Sequence, residues 1–452
     1  MIVLVDMKDF MKKYSLIVIS VIIIILMVVV PISANGLGES VLMINEDNWR
    51  FPGEFEEQDA VWIGWLTKEY ISGYYTDDVF LQIVTELEQN VHTIICVPDE
   101  TQMKHVEDVL TKNNIPMTNI SFYEQKFTML YWRDFGPIFV VNDMGEKSIT
   151  DFNFNCWGYF PESDTQSLLM ERIDRDVAAY LGIESVMTRI TSEGGDREFN
   201  GKGTMLVTEA CEFQRNPNVA KEEIESEFKR LFGVTNIIWL KKGSVEDDPY
   251  DGSALPGPDG VGIAYRSASA NNHMDEYCRF VSPNTILLAE VSEEEAAKDP
   301  IAAENRIRME ENYEILKNSV DQDGNPFTIV RMPIPDMIYF TANPTDEAYF
   351  GLSTFYKSHD GTTFPIGEPI YIVPAQSYCN FLITNNLVLG QKYYMEGMGM
   401  PESLREKDII AEEILQSLFP DRKVVMINTI PINFGGGGIH CSTQQEPKGI
   451  TE

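Results

Sequence analysis

The stretch PIFVVNDMGEKSITDFNF, residues 137–154, carries the pattern from which the fold of this chain is predicted. Two β-rich runs, Pro137 to Val141 and Lys147 to Phe154, flank a turn that contains Asn, Asp and Gly, which is typical of a β-hairpin. An amphipathic helix is predicted from about Asp164 to Leu181, followed by a short strand at Ser185 to Ile190. We call this order of strand, strand, helix and strand a ββαβ unit.

The same order recurs along the chain. Three further units are predicted. One has its hairpin at 197–208, its helix at 224–231 and its last strand at 236–240, and the next has them at 279–291, 301–317 and 327–332. The last has its hairpin at 379–393, its helix at 403–418 and its last strand at 423–427. A first, less regular unit has predicted strands at 60–66 and 92–97 and helices at 77–88 and 102–110. Because each unit alone leaves an apolar face uncovered, we expect an α/β fold in which about five units pack around a common axis.

Two insertions rich in Gly and Pro interrupt the units, at Gly243 to Asn272 and at Pro333 to Ala375. Long connections of this kind usually run over the surface and often carry function, so we expect them near or over a binding site. A doubly wound sheet is the rival arrangement. It fits less well because hairpins outnumber simple βαβ crossovers.

The composition is that of a large, acidic, globular protein. The 452 residues include 35 Lys and Arg against 70 Asp and Glu, for a formal net charge of −35. Such a charge repels nucleic acid and attracts cations, including cationic small molecules, although a well-solvated acidic surface is the commoner explanation. Six scattered cysteines without a C-x-x-C pair argue against a zinc site or a disulfide scaffold and predict mostly reduced thiols.

The N-terminus has the features of an export signal. Three lysines (Lys8, Lys12 and Lys13) precede an apolar run from Leu16 to Val30, and small residues follow up to Ala34. We predict that residues 1–34 are a cleaved signal or a membrane anchor and that 35–50 form a linker. Residues 51–452 would then be a single catalytic domain, either extracellular or anchored on the outer side of the cytoplasmic membrane.

A candidate nucleophile lies near the C-terminus, in the stretch GGGGIHCSTQQEP at 435–447. Consecutive glycines allow a ligand or another strand to approach the backbone closely. Cys441 follows them, and its thiolate would be a strong nucleophile if its surroundings lowered the pKa. A flexible loop followed by an inert, buried cysteine is the alternative interpretation.

Three other stretches precede predicted hairpins: WRDFGP with Asp134, SEGGD with Glu193, and NNHMDE with His273 and Asp275. Taken singly, each is explained by a turn carboxylate or a structural hydrogen-bonded pair. A ring of units would, however, bring them together with Cys441, because each occupies the equivalent edge of a unit. Gathered carboxylates repel one another unless a cation lies between them. A guanidinium has that charge and a planar fork of donors, so we predict a guanidinium site.

These residues resemble the family of agmatine deiminases and bacterial, Porphyromonas-type peptidylarginine deiminases, within the guanidine-modifying superfamily. The resemblance covers about Phe51 to Pro447 and rests on FPGEFEEQDAVWIGW, WRDFGP, EGGDREFNGKGTMLVTEACEFQRNP, HMDEYCRF and GGGGIHCSTQQEP. It implies a pentein-type fold, a five-fold pseudosymmetric α/β propeller of ββαβ units. It also implies a hydrolase that acts on a C–N bond without a metal or cofactor, converting a guanidinium to a ureido group and releasing ammonia.

The resemblance also implies roles for individual residues. Carried over by position, Cys441 is the nucleophile, His273 the general acid and base, and Asp134 and Asp275 the carboxylates that hold the guanidinium. A covalent thiouronium intermediate would form on the cysteine and be hydrolysed by water that His273 activates. Substrate contacts are expected from Glu193, Tyr131, Trp132, Trp157 and Gly438. His440 is a rival base, but neighbouring side chains of an extended segment point to opposite faces, which favours His273.

Two substrates remain open. The stretch FNCWG at 154–158 and the tail QQEP at 444–447 resemble agmatine deiminases, and residues 152–164 lack the arginines with which the peptidylarginine branch binds a carboxylate. We therefore predict hydrolysis of agmatine to N-carbamoylputrescine and ammonia. Because an export signal is unusual for a cytosolic polyamine enzyme, conversion of arginine side chains of peptides to citrulline is the alternative.

A protein of another class is also compatible with the charge and the signal. It would be an exported, non-catalytic binding protein for polyamines or cationic peptides, but that hypothesis leaves Cys441 after four glycines unexplained. A cysteine protease fits less well, since two carboxylates in a small pocket do not suit an amide carbonyl. The sequence leaves a homo-oligomer open.

Overall fold

The computed structural model describes residues 48–160, 164–249, 253–258, 260, 262–356 and 361–449. Within them the strands are β1 Gln58–Gly64, β2 His92–Val97, β3 Ile120–Glu124, β4 Ile138–Val141, β5 Lys147–Asp151, β6 Ser185–Met187, β7 Arg197–Phe199, β8 Thr204–Thr208, β9 Asn236–Leu240, β10 Leu255–Pro256, β11 Ile263–Arg266, β12 Cys278–Ser282, β13 Thr285–Glu290, β14 Thr328–Pro333, β15 Phe340–Ala342, β16 Ile370–Val373, β17 Leu382–Thr384, β18 Leu387–Lys392, β19 Lys423–Asn428 and β20 Thr443–Pro447. The α-helices are α1 Thr76–Glu88, α2 Glu100–Lys112, α3 Trp132–Phe135, α4 Thr165–Met170, α5 Ile173–Leu181, α6 Glu209–Arg215, α7 Lys221–Phe232, α8 Glu293–Ala296, α9 Pro300–Lys317, α10 Glu347–Phe355, α11 Glu402–Leu418, α12 Ile430–Asn433 and α13 Ile439–Ser442.

The hairpin predicted within residues 137–154 is present. β4 and β5 pair antiparallel, and β6 adds to β5 in parallel. The Asn142 side chain closes the turn, because its Oδ1 accepts hydrogen bonds from the backbone N–H groups of Met144 at 3.1 Å and Glu146 at 2.9 Å. A short polar side chain that bonds its own backbone is the usual reason for Asn in such turns.

The same strand order is found in four three-stranded sheets. They are β4-β5-β6, β7-β8-β9, β12-β13-β14 and β17-β18-β19. In each sheet the first two strands are antiparallel and the last two parallel, with helix between the second and third strands. These sheets confirm a mixed α/β fold built from hairpins and crossovers.

The less regular first unit obtains its missing strand from the other end of the chain. β20 pairs antiparallel with β1, and β1 continues in parallel to β2 and then β3. Trp62 lies opposite Gln444 in this pairing, so the segment that follows Cys441 is fixed to the start of the domain. The sequence predicted the elements on both sides, but not that they share a sheet.

The two insertions form a sheet of their own, where we predicted surface connections. Its order is β10-β11-β16-β15, and β11 of the first insertion pairs in parallel with β16 of the second. The helix α10 lies between β15 and β16 in the chain. Pairing between these strands satisfies the backbone polar groups of both insertions. The Gly and Pro content of the insertions gave no indication of these strands.

Some predicted boundaries are wrong. The helix predicted over 164–181 is two helices, α4 and α5, and the strand predicted over 185–190 ends at Met187. The strand predicted over 379–384 begins only at Leu382. Arg279 explains this shortening, since its guanidinium donates hydrogen bonds to the carbonyls of Cys379 at 3.0 Å and Phe381 at 2.5 Å.

The core lies between the sheets and the helices that cover them. On α7, the predicted helix face of Ile224, Phe228 and Leu231 is fully buried. Burying one such side chain contributes about 1.5–3 kcal/mol, so faces of this kind hold each helix to its sheet.

The predicted N-terminal signal at 1–34 lies outside the described residues, as does the linker up to residue 47. Among the helices that the structure describes, none is both long enough and apolar enough to cross a membrane.

Candidate active site

Cys441 lies on the short helix α13, which begins directly after Gly438. Its side chain is 2% exposed. The glycines before it are required by space: a Cβ on Gly437 would lie 2.8 Å from the Cβ of Cys441 and 2.9 Å from the Tyr131 ring. Gly436 has a φ of 103°, a backbone conformation that favours glycine.

Three polar side chains surround the Cys441 sulfur. The Asn380 amide donates to Sγ at 3.0 Å, while Asp275 Oδ2 lies 3.5 Å and Glu276 Oε1 3.6 Å from it. Burial, followed by Asp275, Glu276 and Asp134, raises the pKa of the Cys441 thiol well above its usual value. A hydrogen bond from the backbone of Gly438 acts in the opposite direction. A cation held by these carboxylates would offset their effect and favour the thiolate.

His273 is fully buried and precedes a short helical turn at Met274–Glu276. Its Nδ1 lies 3.6 Å from Asp134 Oδ1, and its Nε2 lies 3.4 Å from Glu193 Oε2. Burial acts to lower the pKa of His273, but Asp134, Cys211 and Glu193 outweigh it and raise the pKa well above the usual value. The raised pKa favours the protonated imidazole, which can serve as a proton donor.

Asp134 is part of the short helix α3, and two hydrogen-bond donors orient its carboxylate. The backbone N–H of Gly195 donates to Oδ1 at 3.0 Å, and the Trp157 indole donates to Oδ2 at 2.8 Å. Burial raises the pKa of Asp134 above its usual value, and His273 partly opposes this.

Gly195 marks the point at which the predicted groups meet. A Cβ at this position would lie 2.6 Å from His273 Nδ1, 2.9 Å from Asp134 Oδ1 and 3.2 Å from Asp275 Oδ1. Asp275 Oδ1 is buried and has no hydrogen-bond partner among the residues that the structure describes. Three predicted residues from two separate stretches therefore converge, as the equivalence of the unit edges required.

A cavity of about 170 Å³ opens beside this cluster. Cys441 and Asp134 line it together with the predicted contacts Tyr131 and Trp157. Its walls are mostly aromatic or small, and the backbone of Trp157 has a φ of 57° in a tight turn. Apolar walls with a few convergent polar groups are typical of small-molecule sites.

Three expected substrate contacts are placed elsewhere. Trp132 is fully buried in the core, where its indole donates to Thr128 Oγ1 at 2.6 Å and its ring stacks on Trp62. Gly438 packs so tightly that a Cβ would lie 2.4 Å from Gln391. Glu193 lies behind His273 instead of in the cavity wall, because it pairs with a buried arginine.

That arginine is Arg215. Its Nε donates to Glu193 Oε1 at 2.8 Å, and both side chains are fully buried. Burial raises the pKa of Glu193, but Arg215 and His273 outweigh it and lower the pKa to about 2. Glu193 therefore stays ionised beside His273 and supports its protonated form.

His440 does not lie in an extended segment, so that reason for excluding it is wrong. It is part of α13, and its Nδ1 lies 2.7 Å from Asp275 Oδ2, on the opposite side of that carboxylate from Gly195. Its Nε2 lies 2.7 Å from Glu54 Oε2. The ring faces a second, smaller cavity of about 40 Å³, whereas Cys441 faces the larger one.

Sequence reasoning missed Asn380 and Glu276. Asn380 Oδ1 accepts from the backbone N–H groups of His440 at 2.9 Å and Cys441 at 3.3 Å, in addition to the contact of its amide with the sulfur. A usable signal was present: Asn380 stands two residues before β17, at the edge of the fourth unit, where the other units supply Asp134, Glu193, Asp275 and Cys441.

Three clusters of described side chains have the ligand types of a metal site. They are Glu193 with Cys211 and His273, Glu54 with Glu198 and His440, and Asp275 with Glu276 and Cys441. Arg215 and Arg279 balance the carboxylates of the first two through ion pairs. The third cluster adjoins the cavity, where its carboxylates suit a guanidinium as well as a metal ion.

Comparison with known proteins agrees with this chemistry. The family described as Porphyromonas-type peptidyl-arginine deiminase matches residues 50–253 and 261–447. A putative agmatine deiminase of Latilactobacillus sakei is 30% identical over 416 residues, covering 89% of this chain and 97% of the relative. The agmatine deiminase of Pseudomonas aeruginosa is 29% identical over 414 residues, covering 89% and 96%. The solved agmatine deiminase of Enterococcus faecalis superimposes with a TM-score of 0.68 at 26% identity, covering 90% of this chain and 97% of that one. The chain belongs to the Porphyromonas-type peptidyl-arginine deiminase family.

Proposed function

We propose that this protein is a guanidine deiminase that hydrolyses agmatine to N-carbamoylputrescine and ammonia. The observation that carries the proposal is the convergence of Asp134, Asp275 and His273 on Gly195, beside the Cys441 sulfur. Relatives named agmatine deiminase match nearly the whole length of the chain. The hydrolase acts on a C–N bond of an amidine.

The guanidinium is bound first. Asp275 Oδ1, which no described residue contacts by a hydrogen bond, and Asp134 Oδ1 accept its N–H groups. The cation offsets the negative field at Cys441, whose thiol then releases its proton to solvent. Binding therefore precedes formation of the nucleophile.

The chemical steps use Cys441 and His273. The thiolate attacks the central guanidinium carbon, and the tetrahedral adduct expels ammonia as the His273 imidazolium gives up its proton. A cationic thiouronium remains on the sulfur. Neutral His273 then takes a proton from water, and the resulting hydroxide adds to the same carbon. The C–S bond breaks as the hydroxyl proton passes to the departing sulfur, which releases the ureido product and restores the Cys441 thiol.

The cavity favours a small, amine-ended substrate over a peptide. No arginine or lysine occurs among the described residues that line it, so a substrate carboxylate finds no cationic partner there. The formal net charge of −35 attracts a dication such as agmatine.

The second insertion braces the cavity walls. The backbone N–H of Ala348, on α10, donates to the Tyr70 carbonyl at 3.1 Å, and Ser72 Oγ donates to Asp346 at 2.8 Å. At the other end of α10, the Phe355 ring contacts the Phe160 ring edge-on. Because Tyr70 and Phe160 both line the cavity, the helix limits access by a peptide backbone.

We also propose that the four ββαβ sheets and the sheet β20-β1-β2-β3 surround a common axis as a five-fold pseudosymmetric propeller of pentein type. The recurrence of one strand order and the equivalent positions of Asp134, Glu193, Asp275, Asn380 and Cys441 support this arrangement. Residues 51–452 would form its single catalytic domain.

From the sequence of residues 1–34 we propose that this domain acts outside the cytoplasmic membrane. Surface labelling of intact cells before and after protease treatment tests the location.

The experiment that tests the function is ammonia release by the full chain with agmatine, free arginine and an arginine-containing peptide offered separately. Turnover of agmatine with Cys441 intact, and its loss in Cys441→Ala, is the expected result. Preference for the peptide would make the protein a protein-arginine deiminase. If none of the three substrates releases ammonia while Cys441 is shown to be reduced, the result would favour a binding protein.

A further inference from the structure

The ring of His440 is clamped between two carboxylates that face it from opposite sides. Nδ1 lies 2.7 Å from Asp275 Oδ2, and Nε2 lies 2.7 Å from Glu54 Oε2. The side chain is 1% exposed. When both carboxylates are ionised they can only accept hydrogen bonds, so both ring nitrogens donate and the ring is an imidazolium.

The contact divides the two oxygens of Asp275 between two tasks. His440 occupies Oδ2. Oδ1 is buried, has no hydrogen-bond partner in the part of the chain that the structure describes, and lies near Gly195, Asp134 and His273. A carboxylate that turned about its Cα–Cβ bond would lose this division. Fixing one oxygen therefore presents the other to a ligand.

The far side of the ring is anchored to rigid parts of the fold. Glu54 Oε2 accepts from Arg279 Nη2 at 2.6 Å, and Glu54 Oε1 accepts from the backbone N–H of Ile383 at 2.7 Å. Arg279 is fully buried on β12 and also pairs with Glu198. Glu54 thus ties the imidazolium to β12 and β17, the strands that follow Asp275 and Asn380.

We propose that His440 is a positioning residue that, anchored by Glu54, orients Asp275 for guanidinium binding. This inference rests on the proposed deiminase function. His440 also places a positive charge behind Asp275, in a site where Glu276 and Cys441 are close. Burial acts to raise the pKa of Asp275, but His440 outweighs it and the pKa falls below the usual value, so this carboxylate is ionised when a guanidinium arrives.

Two substitutions separate positioning from a purely structural role. In His440→Asn the amide nitrogen can occupy the place of Nδ1 and keep the bond to Asp275. In His440→Gln the longer amide can reach the place of Nε2 and keep only the bond to Glu54. Each variant loses one hydrogen bond to a buried carboxylate, so their Tm values should fall by similar amounts.

The expected result is a kcat/KM for agmatine that is about 10- to 150-fold lower in His440→Gln than in His440→Asn, the loss of one hydrogen bond to a charged group. Equal activities in the two folded variants, or the reverse order, would overturn the proposal. If His440→Gln does not fold, His440→Asn decides: a folded variant that loses more than about 100-fold contradicts positioning through Asp275.

Agmatine binding to the same proteins, measured by titration calorimetry, keeps the two proposals apart. An inactive wild type would refute the deiminase function. Weaker binding by His440→Gln than by His440→Asn would still support the positioning role, and equal binding would remove it.

Discussion

Asn380→Asp should disable the nucleophile with almost no change in side-chain shape. Asn380 Nδ2 lies 3.0 Å from Cys441 Sγ and 2.9 Å from Glu276 Oε1, so its amide donates where a carboxylate could only accept. Losing a hydrogen bond to a thiolate costs about 1.5–3 kcal/mol, or about 10- to 150-fold in the population of thiolate. An ionised Asp at 3.0 Å would add repulsion of about 5 kcal/mol at an effective dielectric constant of about 20.

The assay is the rate of Cys441 alkylation by iodoacetamide as a function of pH, with and without agmatine. The pKa of the Cys441 thiol is raised, so alkylation should rise only at alkaline pH, and Asn380→Asp should move that rise to still higher pH. Agmatine turnover should fall with it.

Asn113→Asp is a matched control, because Asn113 is exposed at the end of α2. It should leave both the alkylation profile and the turnover at wild-type values. Alkylation of Asn380→Asp at the wild-type rate and pH would refute the idea that this amide governs the thiol.

Two further substitutions test the geometry around the cavity. Trp157→Phe keeps an aromatic wall but removes the 2.8 Å hydrogen bond to Asp134, so it should reduce kcat/KM about 10- to 150-fold. Trp132→Phe, in the core, should lower Tm with little effect on kcat/KM. Equal activity losses in the two variants would contradict this. Gly195→Ala would place a methyl group 2.6 Å from His273 Nδ1. We expect it to abolish agmatine turnover while circular dichroism still shows a folded protein. Retained turnover would show that the cluster is packed less tightly than described.

Local sequence patterns predicted individual elements well. The hairpin at 197–208 and the strand at 236–240 were predicted with the outer bounds that the structure has, Arg197 to Thr208 and Asn236–Leu240. Turn residues and the change from a period of two to one of 3.6 are local signals, and they do not depend on distant contacts.

Long-range pairing could not be predicted in the same way. β20 and β1 lie at opposite ends of the domain, and β11 and β16 come from separate insertions. Strands of three or four residues bounded by glycine and proline look like loops until their partner is known, because a strand is defined by a backbone ladder and not by its own residues.

The structure places four residues that the sequence singled out close together, beside a neighbour that the sequence did not single out. Asp134, His273, Asp275 and Cys441 come together. Asn380 was overlooked although it also stands at the edge of a unit, because an amide side chain does not by itself indicate catalysis. Trp132 and His440 lie on short helices, α3 and α13. Their side chains therefore point in other directions than they would from an extended backbone.

The most direct test of the central claim is mass spectrometry of the full chain, quenched with acid during turnover of agmatine. The covalent mechanism predicts an adduct on the peptide that contains Cys441, with the mass of agmatine less ammonia, and its absence from Cys441→Ala. Continued production of N-carbamoylputrescine by Cys441→Ala would contradict it.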